Sequence, residues 1–254
     1  MDDNIIIIPY ADYNRWKELM KIIAEFGWFC AEEDYDRFSK GFGEENFNTL
    51  IAVDKATNKI LGSVVIGFFE TIDNSPALVK LGLYIVLPEF RGKGIGRKLF
   101  KEVINDPRFK NANFGLNGNS YMSKKYAIEF GYDKFPNWQV CKNKIKISDI
   151  DINALQINPE ITVVGYNDID YQKMIEYDTK IQGGIRREKF LKAFLDAKTS
   201  FAKIAVDKNG NIVGFGNIRT GMNNQIAVEF APHNLQKKLF RQTLQEFIQS
   251  LSTD

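Results

Sequence analysis

The chain opens on four isoleucines, Ile5–Ile8, closed by Pro9, a short β-branched run that reads as a strand. Asp12 then offers an N-cap, and Trp16, Leu19, Met20, Ile23 and Phe26 recur at helical spacing until Gly27 stops them. Residues 32–40 read as a second, shorter helix. Apolar runs at 50–54 and Ile60–Phe69 are strands joined by the polar turn 55–59, and Leu78–Val86 is a further strand. Pro88 cannot donate a ladder hydrogen bond, so that strand ends before it. A glycine-rich loop and a helix over about 94–104 follow. Then come a short strand at 114–116, a helix at 121–130 stopped by Gly131, and an alternating strand at 138–147. The order β-α-α-β-β-β-α-β-α-β, a hairpin sheet leading into a βα unit, predicts an α/β (α+β mixed) fold: one mixed sheet with helices on its faces.

After the polar connector Ser148-Asp149-Ile150-Asp151-Ile152-Asn153 the pattern restarts. Residues 161–164 read as a strand, and Asp168 is placed to cap a helix through Met174 and Ile175. A helix at 186–197 follows, then a hairpin of 201–206 and 212–218 about Asn209-Gly210, a strong turn signal. A strand at 226–230 and a helix at 235–251 close the chain. The restart is literal in one place. Ile51-Ala52-Val53-Asp54-Lys55 recurs as Ile204-Ala205-Val206-Asp207-Lys208, each followed by Asn, an aliphatic pair and Gly. A repeat of this length predicts two like domains, 1–147 and 148–254.

With 254 residues, 44% apolar and 26% charged, the chain has the composition of an ordinary globular protein and is long enough to need no disulfide staples. Lys+Arg of 34 against Asp+Glu of 32 lacks the excess of a nucleic-acid binder, so none is expected as partner. No stretch approaches the ~20 apolar residues of a membrane span, and the acidic start Met1-Asp2-Asp3-Asn4 is unlike a signal peptide. The expected location is cytoplasmic, or else nuclear, with Cys30 and Cys141 as separate reduced thiols. Those two cysteines and one histidine, His233, argue against a metal site and against a serine hydrolase. One window departs from charge balance. Between Lys80 and Lys110 eight basic residues face Glu89, Glu102 and Asp106, a surplus suited to a small polyanion.

That window holds the informative segment, Leu83-Tyr84-Ile85-Val86-Leu87-Pro88-Glu89-Phe90-Arg91-Gly92-Lys93-Gly94-Ile95-Gly96-Arg97-Lys98-Leu99-Phe100. It runs strand, glycine loop, helix. Its glycines let backbone N–H groups approach a ligand closely, and the helix N-terminus adds unpaired donors and a positive dipole end. Arg91, Lys93, Arg97 and Lys98 add charge. Together they describe a phosphate or pyrophosphate site. A Walker A loop is excluded, because no Gly-Lys-Ser/Thr occurs. A dinucleotide fingerprint fails at Arg97, where its last glycine should stand. The pattern Arg/Gln-x-x-Gly-x-Gly/Ala is met in full by Arg91, Gly94 and Gly96.

On this motif and on the element order of residues 4–147, the chain resembles the GNAT superfamily of acyl-CoA-dependent N-acyltransferases. The resemblance implies acetyl-CoA as co-substrate, held by Arg91, Gly92, Lys93, Gly94, Ile95, Gly96 and Arg97 through its pyrophosphate. It also implies a splayed sheet with a bulge near Ile85, Val86 and Leu87, whose backbone would pair with the pantetheine arm. The second half is similar to the domain that follows the acyltransferase domain in tandem members, through Tyr177-Asp178 and Arg186 or Arg187 ahead of Phe190-Leu191. Its counterpart of the glycine loop, Phe230-Ala231-Pro232-His233-Asn234-Leu235, is shorter and has no glycine, so this half is expected to be a degenerate GNAT-like domain.

The chemistry needs an amine that has lost its proton and a leaving thiolate that gains one. The family often supplies a tyrosine acid, with Asn seven residues before it and Gly four after. Asn119 and Tyr126 keep the first spacing, and the resemblance places Asn119 among the cofactor-binding residues, but Gly131 lies five residues on. Either one residue is inserted after Tyr126, or Ala127 holds the acid position and there is no acid. Glu70, at the end of the third strand, is either the base or a solvated strand-end carboxylate. The implied function is transfer of acetyl to a small-molecule or peptide amine in a ternary complex; the alternative is a non-catalytic acyl-CoA-binding protein.

Overall fold

The computed structural model describes residues 4–134, 146–151 and 159–231. Cys141, His233, the helix expected at 235–251 and most of the strand expected at 138–147 lie outside them; at that strand's end Ile147–Asp149 is a 3-10 turn. The chain divides into two compact units, one of residues 1–19 and 42–144, the other of 20–41 and 145–254. The linear division at 147 therefore describes the repeat in the sequence, while packing takes 20–41 into the second unit.

In the first unit the strands β1 (Ile5–Ile8), β2 (Phe47–Asp54), β3 (Ile60–Phe69), β4 (Leu78–Val86) and β5 (Asn113–Leu116) lie side by side in chain order. All neighbours are antiparallel except β4 and β5, which run parallel. Such a pair needs a crossover, and α3 (Ile95–Ile104) supplies it. Its apolar face, Ile95, Leu99, Phe100 and Val103, packs on Leu50, Leu61, Val64, Ile66, Val79 and Leu81 in one buried cluster. After β5, Asn119 caps α4 (Ser120–Phe130), and Gly131, in left-handed backbone at φ 72°, ends it as expected. Helix α1 (Tyr13–Glu25) starts on the expected cap, with Arg15 N–H donating to Asp12 at 2.9 Å.

The second unit carries β6 (Ile161–Gly165), β7 (Ser200–Asp207), β8 (Ile212–Thr220) and β9 (Ile226–Ala231), antiparallel throughout. With them go α5 (Tyr171–Ile181) and α6 (Glu188–Leu195), which bury Met174, Leu191 and Leu195 against Ile204, Val206 and Phe215. The cap of α5 is Asp170, accepting from Gln172 N–H, and not the expected Asp168. Asp168 is already engaged by Gly165 N–H at 3.0 Å and closes a 3-10 turn, Tyr166–Asp168. Helix α2 (Asp34–Phe42) starts and ends two residues later than 32–40 predicts, and just before it the Glu33 carboxylate accepts from Lys198 and Thr199 N–H. Asp34, buried, accepts from Arg219 at 3.0 Å and pairs with Arg37. Buried Asp178 holds Arg187 in two hydrogen bonds of 2.9 and 2.8 Å, which picks Arg187 over Arg186.

The repeat is visible in the pairing. Ile5 faces Asp54 and Ile161 faces Asp207; the register shifts between Ala52 and Val53, and again between Ala205 and Val206. The five-residue identity therefore carries a shared hairpin with its bulge in the same place.

Candidate active site

The site is built where β4 outruns its parallel neighbour. The β4–β5 pairing ends at Leu81–Leu116, yet β4 continues to Val86 along β3. Among the described residues, the β5 side of β4 has no strand partner from Gly82 onward, which is the splay the resemblance implies. A bulge sits at this fork. Ser63 pairs with Ile85 but Val65 with Gly82, so two residues, Leu83 and Tyr84, oppose one on β3. Leu83 takes φ 42°, a strained value for a branched side chain, and Ser63 Oγ donates to its carbonyl at 2.8 Å. The bulge thus lies at Leu83–Tyr84, two residues earlier than expected. Part of the backbone expected to meet the pantetheine arm is engaged: Leu87 N–H donates to Leu61 O, and Val86 O accepts from Arg91 Nε at 3.0 Å. Ile85, which pairs with Ser63, is buried.

Pro88–Phe90 forms a 3-10 turn that leads into the glycine loop. Gly92 and Gly94 stand at φ 79° and 80°, left-handed conformations that glycine adopts freely, and a Cβ on Gly92 would meet nothing within 4 Å. Gly94 is the N-cap of α3 and brings no side chain to it; the first recorded intrahelical bond runs from Lys98 N–H to Gly94 O. The N–H groups of Ile95, Gly96 and Arg97 are therefore left for a ligand. Arg91, Lys93 and Arg97 are exposed around them, while Ile95 anchors the turn in the core. Arg97 also pairs with Glu129 of α4 at 3.1 Å, an exposed contact of little strength. Gly96 has a different use: a Cβ there would stand 2.8 Å from the Tyr84 hydroxyl.

Tyr84 is the residue that sequence reasoning missed. Its ring packs on Phe100 and Tyr126 at 5.7 and 5.9 Å between centroids, and burial pushes its pKa well up. The signal was its place in the bulge, where the alternation of faces breaks. Tyr126 is buried against the same rings, stacked on Phe100 at 6.1 Å, and burial pushes its pKa to about 12. It is therefore a neutral hydroxyl, with its proton in place, at any ordinary pH. Its neighbour Ala127 is only half-buried. A Cβ on Gly118 would meet the Tyr126 ring at 3.1 Å, so the β5–α4 loop lies against it. Asn119 spends its side chain on the α4 cap, accepting from Met122 N–H at 2.8 Å.

Glu70 is not brought to this place. It is exposed, one residue past Phe69, which pairs with Leu78. At about 3.3 Å per residue, Leu83 lies roughly 17 Å further along β4. Among the described residues no three His, Cys, Asp or Glu gather as metal ligands, and no helix is long and apolar enough to cross a membrane.

Comparison with known proteins agrees with this geometry. The sequence pattern of the Acetyltransferase (GNAT) family matches residues 14–117. An uncharacterised protein of Caenorhabditis elegans is 21% identical over 236 residues, 90% of this chain and 71% of its own. The structure of a putative acetyltransferase from Pyrococcus horikoshii superposes with a TM-score of 0.61, covering 96% of this chain and 78% of that one at 18% identity. A tandem GNAT protein from the clavulanic acid biosynthesis pathway gives 0.59, covering 97% and 86% at 14% identity. Those likenesses extend the shared fold over nearly the whole chain, and the match to the Acetyltransferase (GNAT) family falls on residues 14–117, which hold the splayed strand and the glycine loop.

Proposed function

We propose that the protein is an acyl-CoA-dependent N-acyltransferase that moves acetyl from acetyl-CoA to an amine, with its active site in the first unit. The observation that carries this reading is the coincidence of fork, bulge and uncapped glycine helix start on one strand–loop–helix segment. The residues present fit the co-substrate. Unpaired N–H groups at the start of α3, with Arg91, Lys93 and Arg97 around them, suit a pyrophosphate. The open edge of β4 beyond Leu81 suits an extended arm that needs backbone partners. Acetyl-CoA supplies an activated thioester, so no covalent enzyme intermediate is required. The chain's task is to hold the amine and thioester in line and to manage protons. In this reading the Tyr126 hydroxyl gives the proton that the leaving thiolate takes up. With Glu70 set apart by register, water at the fork takes the amine proton, and the Tyr126 phenolate left by the transfer is reprotonated through solvent, so that one proton passes from amine to thiol overall.

The second unit supports a degenerate reading. Its β8–β9 pairing runs from Phe215–Ala231 to Thr220–Ile226 with no bulge, so among the described residues no bulged strand like β4 is built there. We assign it, with 148–254 as its sequence domain, a non-catalytic role. One observation favours the runner-up, a binder without turnover: Tyr126 sits in an aromatic cluster as a core residue would. The deciding experiment is acetyl-CoA turnover against a pooled amine library, read by mass, with CoA-induced melting shifts alongside. Acetylated amines are expected. A melting shift without any product would leave the binder, and no shift at millimolar CoA would remove both readings.

A further inference from the structure

Beyond the glycine loop, the fork has a second chemical feature that the reaction as described does not use. Val79 and Leu81 of β4 face the α3 cluster, so by strand alternation Lys80 and Gly82 face the opposite side of the sheet. Lys80 is directly flanked in register by two glycines, Gly67 on β3 and Gly115 on β5. The Phe42 ring fills the space above Gly67, since a Cβ there would meet it at 2.3 Å. On the β5 side the lysine stem runs over Gly115, whose Cβ would stand 3.8 Å from Lys80 Cδ. Its ammonium donates to Asn117 Oδ1 at 3.3 Å, just past the last β4–β5 pair.

Two facts make this more than a solvated lysine. First, Lys80 is half-buried, and among the described residues it has no acidic partner; its pKa is pushed down by burial, with no neighbouring charge contributing. A cation held partly out of water beside a neutral amide has capacity for an anion. Second, the next residue on the same face, Gly82, is exposed in mid-strand, and a Cβ on it would meet nothing within 4 Å. Among the described residues this is a bare strand floor one step from the bulge, with an ammonium at its side.

The geometry points to Lys80, with Asn117, as the anchor for an anionic group on the acceptor: the amine substrate carries a carboxylate or a phosphate within a few bonds of its nitrogen. This rests on the acyltransferase reading above. Lys80 is here a specificity-determining residue that binds the acceptor and takes no part in the proton transfers.

The test uses the full chain and acetyl-CoA with two matched pairs of amines, glycine against glycinamide and phosphoethanolamine against ethanolamine, together with the amine library. The readout is the ratio of kcat/KM for the member that carries the carboxylate or phosphate to that for its partner without it. In the wild type the ratio should favour the anion in at least one pair, and which pair responds tells carboxylate from phosphate. Lys80→Met keeps the stem and removes the charge, and should lower that ratio by about tenfold or more, the usual worth of a hydrogen bond to a charged group. Lys80→Arg should restore part of it, and a retained CoA melting shift shows that the loop is intact in both variants. Library products should be enriched in anionic amines. If the amines turned over carry no carboxylate or phosphate, or if Lys80→Met leaves the ratio unaltered, the anchor is overturned while the acyltransferase stands. If CoA binds and no amine is acetylated, the acyltransferase reading fails and the anchor fails with it.

Discussion

Tyr126 is where enzyme and binder part. Burial among Phe100 and Tyr84 holds its hydroxyl protonated up to about pH 12. It stays in the protonated, donor form across the working range, and its own titration would leave no limb in a pH–rate profile below about pH 11. Tyr126→Phe keeps the ring packing and removes only the proton donor. Turnover should then fall by about 10²–10⁴-fold with acetyl-CoA affinity nearly constant, as single-turnover and binding measurements would show. Wild-type rates in Tyr126→Phe would mean that the thiolate leaves with water's help. The sequence alone left Tyr126 and Ala127 open, because one residue is about 100° around a helix and spacing to Gly131 cannot say which residue turns inward. Packing turns Tyr126 in and leaves Ala127 at the edge. Glu70 was named from its place at a strand end, and only the register, which no local pattern encodes, shows how far that end lies from Leu83.

At the scale of elements, the strand–loop–helix segment was legible almost to the residue. Its strand ends match Leu78–Val86, and α3 starts one residue past the last loop glycine of positive φ. Glycine and proline punctuate a chain by backbone sterics, which are local and therefore written in sequence. The bulge was displaced by two residues because it depends on Val64 and Ser63 across the sheet. The loop carries its own test. Gly94→Asp and Gly94→Asn place similar side chains at φ 80°, each costing about 1–2 kcal/mol of backbone strain, less whatever their αL tolerance recovers. Only Asp adds a negative charge beside the helix N-terminus. Calorimetric titration with CoA should find Gly94→Asp weaker than Gly94→Asn by tenfold or more, with similar melting temperatures. Equal affinities would reduce the loop to a turn.

At the scale of the molecule, the repeat could be read from five residues, but the exchange of 20–41 could not, because it rests on pairs far apart in the chain. Asp34 lies 185 positions from Arg219, and Glu33 lies 165 from Lys198. Asp34 takes two arginines at once, all three nearly free of solvent, and the Arg219 guanidinium lies over the Phe29 and Phe194 rings at 4.8 and 5.2 Å. A buried pair of this kind adds little net stability over an apolar replacement, but breaking it from one side is costly, since the remaining charge stays desolvated. Asp34→Asn keeps the shape and leaves two buried cations facing an amide, which should lower stability by about 3–5 kcal/mol in chemical denaturation. The same logic predicts the behaviour of fragments. A chain of residues 148–254 has the repeat's sequence but not Glu33, Asp34 or Arg37. It should show no cooperative melting alone, and should gain it when residues 20–41 are supplied as a peptide or fused to its N-terminus. A fragment that melts cooperatively without them would show that the second unit folds from its own sequence, and that the buried arginines are held by something other than Asp34.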